Sequence, residues 1–535
     1  MNSQDLVSIL GPLPVVLPLL AAGLTLVFSR SRVAQRVVSI TVLTAVLVIA
    51  ATLLVLADRH GAQSVVIGGW EAPLGIVLVV DPLSALMLVV SATVTLGVLL
   101  YAVGQGTSDG DQETPVSIYH PTYLILSAGV ANAFLSGDLF NLYVGFEMLL
   151  VASYVLLTLG GTDARVRAGV TYVITSLLSS ILFLTAIGLV YGATGTVNLA
   201  QLSEVLPTLP AGTRMLLHLM LLLAFGIKAA VFPLAFWLPD SYPTAPAPVA
   251  AVFAGLLTKV GVYAIIRTET VIFSDSDLTV LLMVIGGLTM LIGILGALTQ
   301  ADIKRLLSFT LVSHIGYMIF GIGLGTALGM AATIYYVVHH ITVQTTLFLT
   351  TGLIERFGGS TSITRIAGLL KASPLLAVLF FVPALNLGGI PPFSGFLGKT
   401  GLFLAGADDA NATDAAGDAW LIWIVIAAGT LTSLITLYAL TRFWNMAFWR
   451  GRSELEGYES VLLGSVQEAP GGDTITATRT TPVLMVVATT ALAVVTLCLT
   501  FFAGPIFDLA SRAADGLTDP SVYVSIVFPD EGGAG

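Results

Sequence analysis

The sequence predicts an all-α polytopic membrane protein of about fourteen transmembrane helices, built on two inverted five-helix repeats that each contain a broken helix. Three observations carry this expectation. Of 535 residues, 56% are hydrophobic and only 10% charged; a soluble domain has about 25% charged, so a water-facing surface cannot be assembled. Apolar runs of about twenty residues, the length needed to cross a bilayer, recur along the whole chain. Two of these runs are interrupted by proline and glycine at corresponding places in the two halves, a pattern that marks inverted repeats.

The first run, 6–28, lacks a basic leading segment and a small-residue cleavage pattern before Arg30, so it reads as a retained helix rather than a signal peptide. The others fall near 37–57, 76–103, 117–136, 138–159, 167–191, 213–239, 246–267, 278–299, 303–324, 328–355, 375–404, 420–448 and 481–503. They are continuous, whereas barrel strands alternate, which excludes a closed β-barrel. Polar insertions at 104–117, 192–212 and 451–481 read as loops. Turn formers and β-branched residues at 192–197 suggest a small hairpin outside the membrane. Asn411, Ala412 and Thr413 match a glycosylation acceptor, which by itself marks only a loop. The expected organisation is an N-terminal three-helix segment (1–110), a first repeat (117–270), a second repeat (278–450), and a polar loop, last transmembrane helix and outward-facing tail (451–535).

An even number of crossings puts both termini on one side, and the Lys/Arg bias says which. Loops on the side of the first connection hold Arg30, Arg32, Arg36, Arg165, Arg167, Lys304, Arg305, Arg356, Arg365, Lys371, Arg442, Arg450, Arg452 and Arg479. The other side holds Arg59, Arg214, Arg267 and Arg512, with acidic residues such as Asp408, Asp409, Asp414 and Asp418. Both termini are therefore expected outside a cell membrane. A net charge of −10 with no longer basic cluster than Arg30, Arg32 and Arg36 excludes nucleic-acid binding. Cys498, the only cysteine, can form no internal disulfide and no thiolate metal cage. No cofactor and no metal are expected.

Against this apolar background four charges stand inside predicted spans: Glu147, Lys228, Lys259 and Lys399. Each costs roughly 2.5–3.5 kcal/mol at a helix centre, so repeated tolerance calls for a compensating role. One Glu–Lys pair would be explained equally well as a device fixing helix register. Three lysines to one glutamate do not pair off. The surplus must be hydrated, paired with histidine, or neutral part of the time, which is the chemistry of a proton relay. His314 and the pair His339–His340 lie at similar depth. A lone histidine such as His314 is more often a packed, hydrogen-bonded residue than a ligand. His340 is the stronger candidate because Gln344 shares its face one turn later. His339 points about 100° away on the same helix and is not expected to serve the same site.

Lys228 is followed by Pro233, then by Pro239, Pro243, Pro246 and Pro248; Lys399 is preceded by Gly388, Gly389, Pro391 and Pro392. Proline removes a backbone donor, so both helices should unwind at membrane depth, which is tolerated only where backbone is buried or lines a wet cavity. A simple kink in a packed helix would account for one such site; two, each beside a lysine, fit an ion pathway better.

These residues resemble the antiporter-like membrane subunits shared by respiratory complex I and Mrp-type multisubunit cation/proton antiporters. The resemblance runs from about the third span to the thirteenth. It rests on Phe146-Glu147, Lys-Ala-Ala-Val-Phe-Pro at 228–233 with Trp237 and Pro239, Ala-Pro-Ala-Pro at 245–248, Lys-Val-Gly-Val-Tyr at 259–263, and 308–317. Chain length and Lys399 resemble the D-type subunits of the Mrp branch, whose larger A-type subunit has extra C-terminal helices; the complex I relative of this length usually has glutamate at the late site. The resemblance implies an ion-pair switch of Glu147 and Lys228 in a first half-channel, a central relay at Lys259, and His314 and His340 extending it toward Lys399. Relatives often carry a lysine where this chain has Gln344, which cannot titrate.

The expected function is that of a proton-translocating subunit of a secondary Na⁺(cation)/H⁺ antiporter in a bacterial cell membrane, working with other subunits of a hetero-oligomeric complex and performing no covalent chemistry. Rival expectations are a pumping subunit of complex I, a redox protein with paired histidines on haem, and a non-conducting scaffold. No cage of carboxylates and carbonyls suited to a hard cation is visible, so the cation route is expected elsewhere in the complex.

Overall fold

A computed structural model describes residues 3–106, 118–274, 278–412, 419–451 and 482–529. Most of the loops expected at 104–117 and 451–481 lie outside these residues, as do Thr413 of the acceptor pattern, Asp414, Asp418, Arg452 and Arg479.

In chain order the helices are α1 (Ser3–Leu10), α2 (Leu13–Val27) and α3 (Arg32–His60), then strands β1 (Gln63–Ile67) and β2 (Ile76–Val80), then α4 (Pro82–Gln105), α5 (Tyr119–Leu135), α6 (Leu139–Thr158), α7 (Asp163–Thr194) and α8 (Leu199–Val205). There follow α9 (Ala211–Ala229), α10 (Leu238–Ser241), α11 (Ala247–Val252), α12 (Thr258–Arg267), α13 (Thr279–Leu298), α14 (Ile303–Gly323), α15 (Ala327–Gly358) and α16 (Leu369–Ala372). The chain continues through α17 (Pro374–Gly388), α18 (Ser394–Ala412), α19 (Ala419–Trp444), α20 (Val483–Phe501), α21 (Ala503–Thr518) and α22 (Pro520–Val527). The π turns Phe253–Leu257 and Thr268–Ile272 flank α12, so that Ala247–Ile272 is one continuous rod. Among the described residues twelve helices are long and apolar enough to cross a membrane, and α17 is a shorter apolar helix. The protein is all-α in its membrane body and polytopic, as the composition requires.

Two local expectations need correction. The run at 76–103 opens with strand β2, which pairs antiparallel with β1, Gln63 opposite Val80. Run length cannot separate a β-branched strand from the helix after it; the true start is marked by Asp81, whose side chain accepts from Ser84 N at 2.7 Å, and by Pro82 in the first turn, where no N–H is needed. The hairpin expected at 192–197 is absent among the described residues: α7 runs to Thr194, Gly195 turns left-handed, and Asn198 forms a lone bridge to Asp138. The breaks expected in the runs 213–239 and 375–404 are present, α9 stopping at Ala229 and α17 at Gly388. Beyond 503 the tail folds as α21 and α22, with Ala510, Ala513, Ala514 and Leu517 making the buried stripe of α21.

Burial orders the layers. The most apolar stretch of Ala247–Ile272 is 100% buried, as is that of Ala327–Gly358, against 28% in Arg32–His60, so the first two form the interior and α3 lies at the periphery. These interior rods carry Lys259, His339 and His340. Close helix approach is set by glycine: a Cβ on Gly261 would lie 2.6 Å from Ala229 N, so the rod bearing Lys259 touches the backbone beside Lys228. With no solvent-driven force between helices in lipid, such small-residue contacts are what allow tight packing.

Loops assigned to one side by the charge count touch one another. On the basic face Arg305 pairs with Asp240 at 2.8 Å, Lys304 with Glu355 at 2.7 Å, Arg165 donates to Thr244 O at 3.2 Å, and Arg450 donates to Ile366 O at 2.8 Å. On the hairpin face Arg512 pairs with Asp58 at 2.7 Å, Arg267 with Asp81 at 2.5 Å, and Ser64 donates to Ile526 O at 2.8 Å, tying α22 to β1.

Candidate functional site

The first station forms where α9 ends. Ala230 takes a left-handed backbone, φ 59°, directly after the last helical residue, a conformation that costs a non-glycine residue about 1–2 kcal/mol. Lys228 therefore sits in the last turn, where helix carbonyls favour a cation. Its Nζ donates to Ser180 Oγ at 3.2 Å and lies 4.9 Å from the centre of the Phe146 ring. Trp237 folds back to donate to Ile227 O at 3.1 Å, closing the break that carries Pro233. Phe146, Tyr172, Ser176, Ser179, Lys228 and Trp237 line a cavity of about 20 Å³, room for a water molecule. Glu147 follows Phe146 on α6, and its Oε1 is buried with no hydrogen-bond partner. Among the described residues it makes no direct ion pair with Lys228, whose hydrogen bond goes to Ser180.

Lys259 lies just after the π turn, fully buried, and its Nζ reaches back to Ala254 O at 2.7 Å. That direction follows from the tilt of helical side chains toward the N-terminus. No hydrogen bond among the described residues joins it to the first station or to the histidines.

The second station lies between α14, α15, α18 and α19. His314 bonds Tyr336 OH through Nδ1 at 2.7 Å and Thr436 Oγ1 through Nε2 at 3.3 Å. The His340 ring is 5.4 Å from that of His314, and both its nitrogens are buried without a partner. Gln344 donates to Leu307 O at 2.7 Å, which turns it toward α14 rather than along the row. Lys399, one turn into α18, sends Nζ back across the break at Pro391 and Pro392 to Leu387 O at 2.9 Å, and lies 5.1 Å from the centre of the Tyr317 ring. It thereby satisfies one of the carbonyls that the end of α17 leaves without a helical partner. The structure thus gathers His314, His340 and Lys399 around Tyr317 and Tyr336, places Glu147 and Lys228 in a separate group, and leaves Lys259 between.

His339, set apart from His340 by helical geometry, bonds Ser394 Oγ through Nδ1 at 3.0 Å, so it faces the second break and not His314; two further polar groups were not singled out in the sequence. His218 pairs with Glu269 at 2.7 Å and stacks on Phe273, ring centres 4.2 Å apart. His218 precedes Lys228 by ten residues and Glu269 follows Lys259 by ten, so a charge-in-apolar-run search extended by three turns finds both. Among the described residues no three His, Cys, Asp or Glu side chains are placed to hold a metal ion.

Residues 136–436 match the family model described as NADH:quinone oxidoreductase/Mrp antiporter, TM. The chain is 37% identical over 521 residues to the D-type Na(+)/H(+) antiporter subunit of Alkalihalophilus pseudofirmus, covering 97% of this chain and 99% of that protein. Among solved structures it is similar to a chain of the Mrp complex from Dietzia sp. DQ12-45-1b, with a TM-score of 0.86, 33% identity, and coverage of 97% and 99%. A chain of respiratory complex I from Thermus thermophilus shares the fold, with a TM-score of 0.73 at 24% identity and coverage of 95% and 100%. With more than half its length inside the family model and a relative of over 30% identity along nearly all of it, the chain belongs to the NADH:quinone oxidoreductase/Mrp antiporter family of membrane subunits.

Proposed function

We propose that the chain is the proton-translocating subunit of a multisubunit Na⁺/H⁺ antiporter, a secondary transporter and not an enzyme. The observation that carries this is the distribution of buried ionisable groups: three interior lysines without a carboxylate in contact among the described residues, two of them at helix breaks, with an interior rod bearing histidines packed between the elements of the second and third. A buried charge without a counterion is kept only where its charge or proton is used. Protons would pass along Lys228, Lys259, His314, His340 and Lys399. Glu147 approaches and leaves Lys228, coupling the row to a neighbouring subunit. Each charge moved across the membrane is worth roughly 2.3 kcal/mol per 100 mV, enough to bias such a pair.

In this reading 117–270 and 278–450 are the two inverted half-channels, and the hairpin face, with both termini, lies outside the cell. The partners are the other antiporter subunits, and the cation crosses elsewhere in the complex. The test is sodium-dependent proton flux in vesicles of the assembled complex, comparing native protein with Glu147→Ala and Lys399→Ala. Loss of exchange in both with assembly intact is the expected result; equal flux in all three removes the assignment. Copurification with flavin and iron–sulfur proteins would move the chain to the complex I branch.

A further inference from the structure

We propose that His339 is an additional proton-carrying residue of the second half, with Nε2 as its proton-accepting atom. The inference deepens the function proposed above and rests on it. Hydrogen-bond donors around the ring fix its tautomer. Ser394 Oγ lies 3.0 Å from His339 Nδ1 and 3.2 Å from the Asn386 side-chain oxygen. The identity of that oxygen is fixed by a backbone donor, since Gly395 N–H gives it a hydrogen bond at 2.8 Å. An amide oxygen only accepts, and a serine hydroxyl has one hydrogen. Ser394 therefore commits its hydrogen to Asn386 and meets His339 with a lone pair. Nδ1 must then carry the hydrogen of the bond, which leaves the lone pair of the neutral ring on Nε2.

The surroundings agree with this assignment. Nε2 is buried with no hydrogen-bond partner among the described residues. Gly395 is opposite: a Cβ there would clash first with Asn386 O and would also stand 3.0 Å from Nε2, so glycine lets the break close against both. The charged and titratable groups around the ring are Lys399 from α18, His314 from α14, and His340 and Tyr336 from α15 itself, the Tyr336 ring centre being 5.3 Å away. The same break that presents Ser394 also presents Leu387 O, one residue after Asn386, to Lys399. The two neighbouring histidines thus serve different places: His340 faces His314, and His339 faces the broken helix and its lysine. The 100° between them separates two stations.

The test uses the assembled complex in vesicles. Asparagine in His339→Asn retains a side-chain N–H where Nδ1–H stands, so the bond to Ser394 is kept, but it has no base. That variant is expected to assemble and to lose exchange by about 100-fold, the low end of what a positioned proton-transfer group contributes. Ser394→Ala, which frees the tautomer but keeps the imidazole, is expected to lose only a few-fold. Native exchange in His339→Asn alongside loss in Lys228→Ala overturns the proposal and leaves the conduit reading standing; native exchange in both removes that reading as well. Should His339→Asn fail to assemble, ¹⁵N spectra of histidine-labelled native complex decide: the imidazole resonance that changes in Ser394→Ala is expected to report Nδ1–H, and Nε2–H overturns the proposal.

Discussion

The two broken helices hold their lysines by related means and differ in what stands next to them. At the first, Lys228 ends its own helix, its nitrogen rests on a neutral hydroxyl, and a carboxylate waits nearby without contact. At the second, Lys399 comes from the helix after the break and caps the carbonyl end of the helix before it; imidazoles and tyrosines surround it, and no carboxylate among the described residues bonds to it. An aromatic ring flanks each nitrogen at almost the same distance, 4.9 Å for Phe146 and 5.1 Å for Tyr317. The difference assigns the work. In the proposed function the carboxylate would switch the charge of the first lysine, whereas the second, capped on a helix end, would exchange its proton with histidine.

The comparison breaks most visibly at Lys399. Because no carboxylate bonds there and the carbonyl it caps is held in the helix end, nothing replaces the ammonium group: Lys399→Ala is expected to reduce sodium-dependent proton flux by about 100-fold with assembly unchanged. Lys399→Glu restoring flux would show that the site needs only a titratable group, not one matched to a helix C-terminus. Glu147→Gln is expected to be milder, about tenfold or roughly 1.4 kcal/mol of coupling, since it removes a longer-range interaction and leaves Lys228 on Ser180. A loss at Glu147 equal to that at Lys399 would mean that the two halves do not divide the work as their contacts indicate.

Much of this was legible because a charge in an apolar run is rare and costly. Glu147, Lys228, Lys259 and Lys399 stand out by composition alone, and Pro233, Pro391 and Pro392 mark the breaks because proline cannot continue a helix. What stayed hidden depends on partners distant in sequence. Nothing near His339 announces Ser394, 55 residues later, and the helical-wheel argument that set it apart from His340 was right about direction while silent on what lies that way. The π turn before Lys259 leaves no mark in residue type, and β2 merges with the apolar run of α4. Glu269 lies just past a predicted span end, and His218, inside one, carries no sign in sequence of a partner 51 residues later.

A finer test compares the two bonds of one imidazole. His314 bonds Tyr336 at 2.7 Å and Thr436 at 3.3 Å, and hydrogen bonds weaken with length. Tyr336→Phe removes the short bond while keeping the ring that stands between His314 and His339; a loss of about fivefold is expected, equivalent to one net hydrogen bond of roughly 1 kcal/mol. Thr436→Val preserves volume and shape and removes the long bond together with the hydroxyl's own bond to Thr432 O at 2.8 Å, which lies within α19 and off the row, so flux within about twofold of native is expected. The order of these two effects locates the route. If Thr436→Val were the more damaging, protons would leave His314 toward α19, and the second half would run away from His339 and Lys399 instead of toward them.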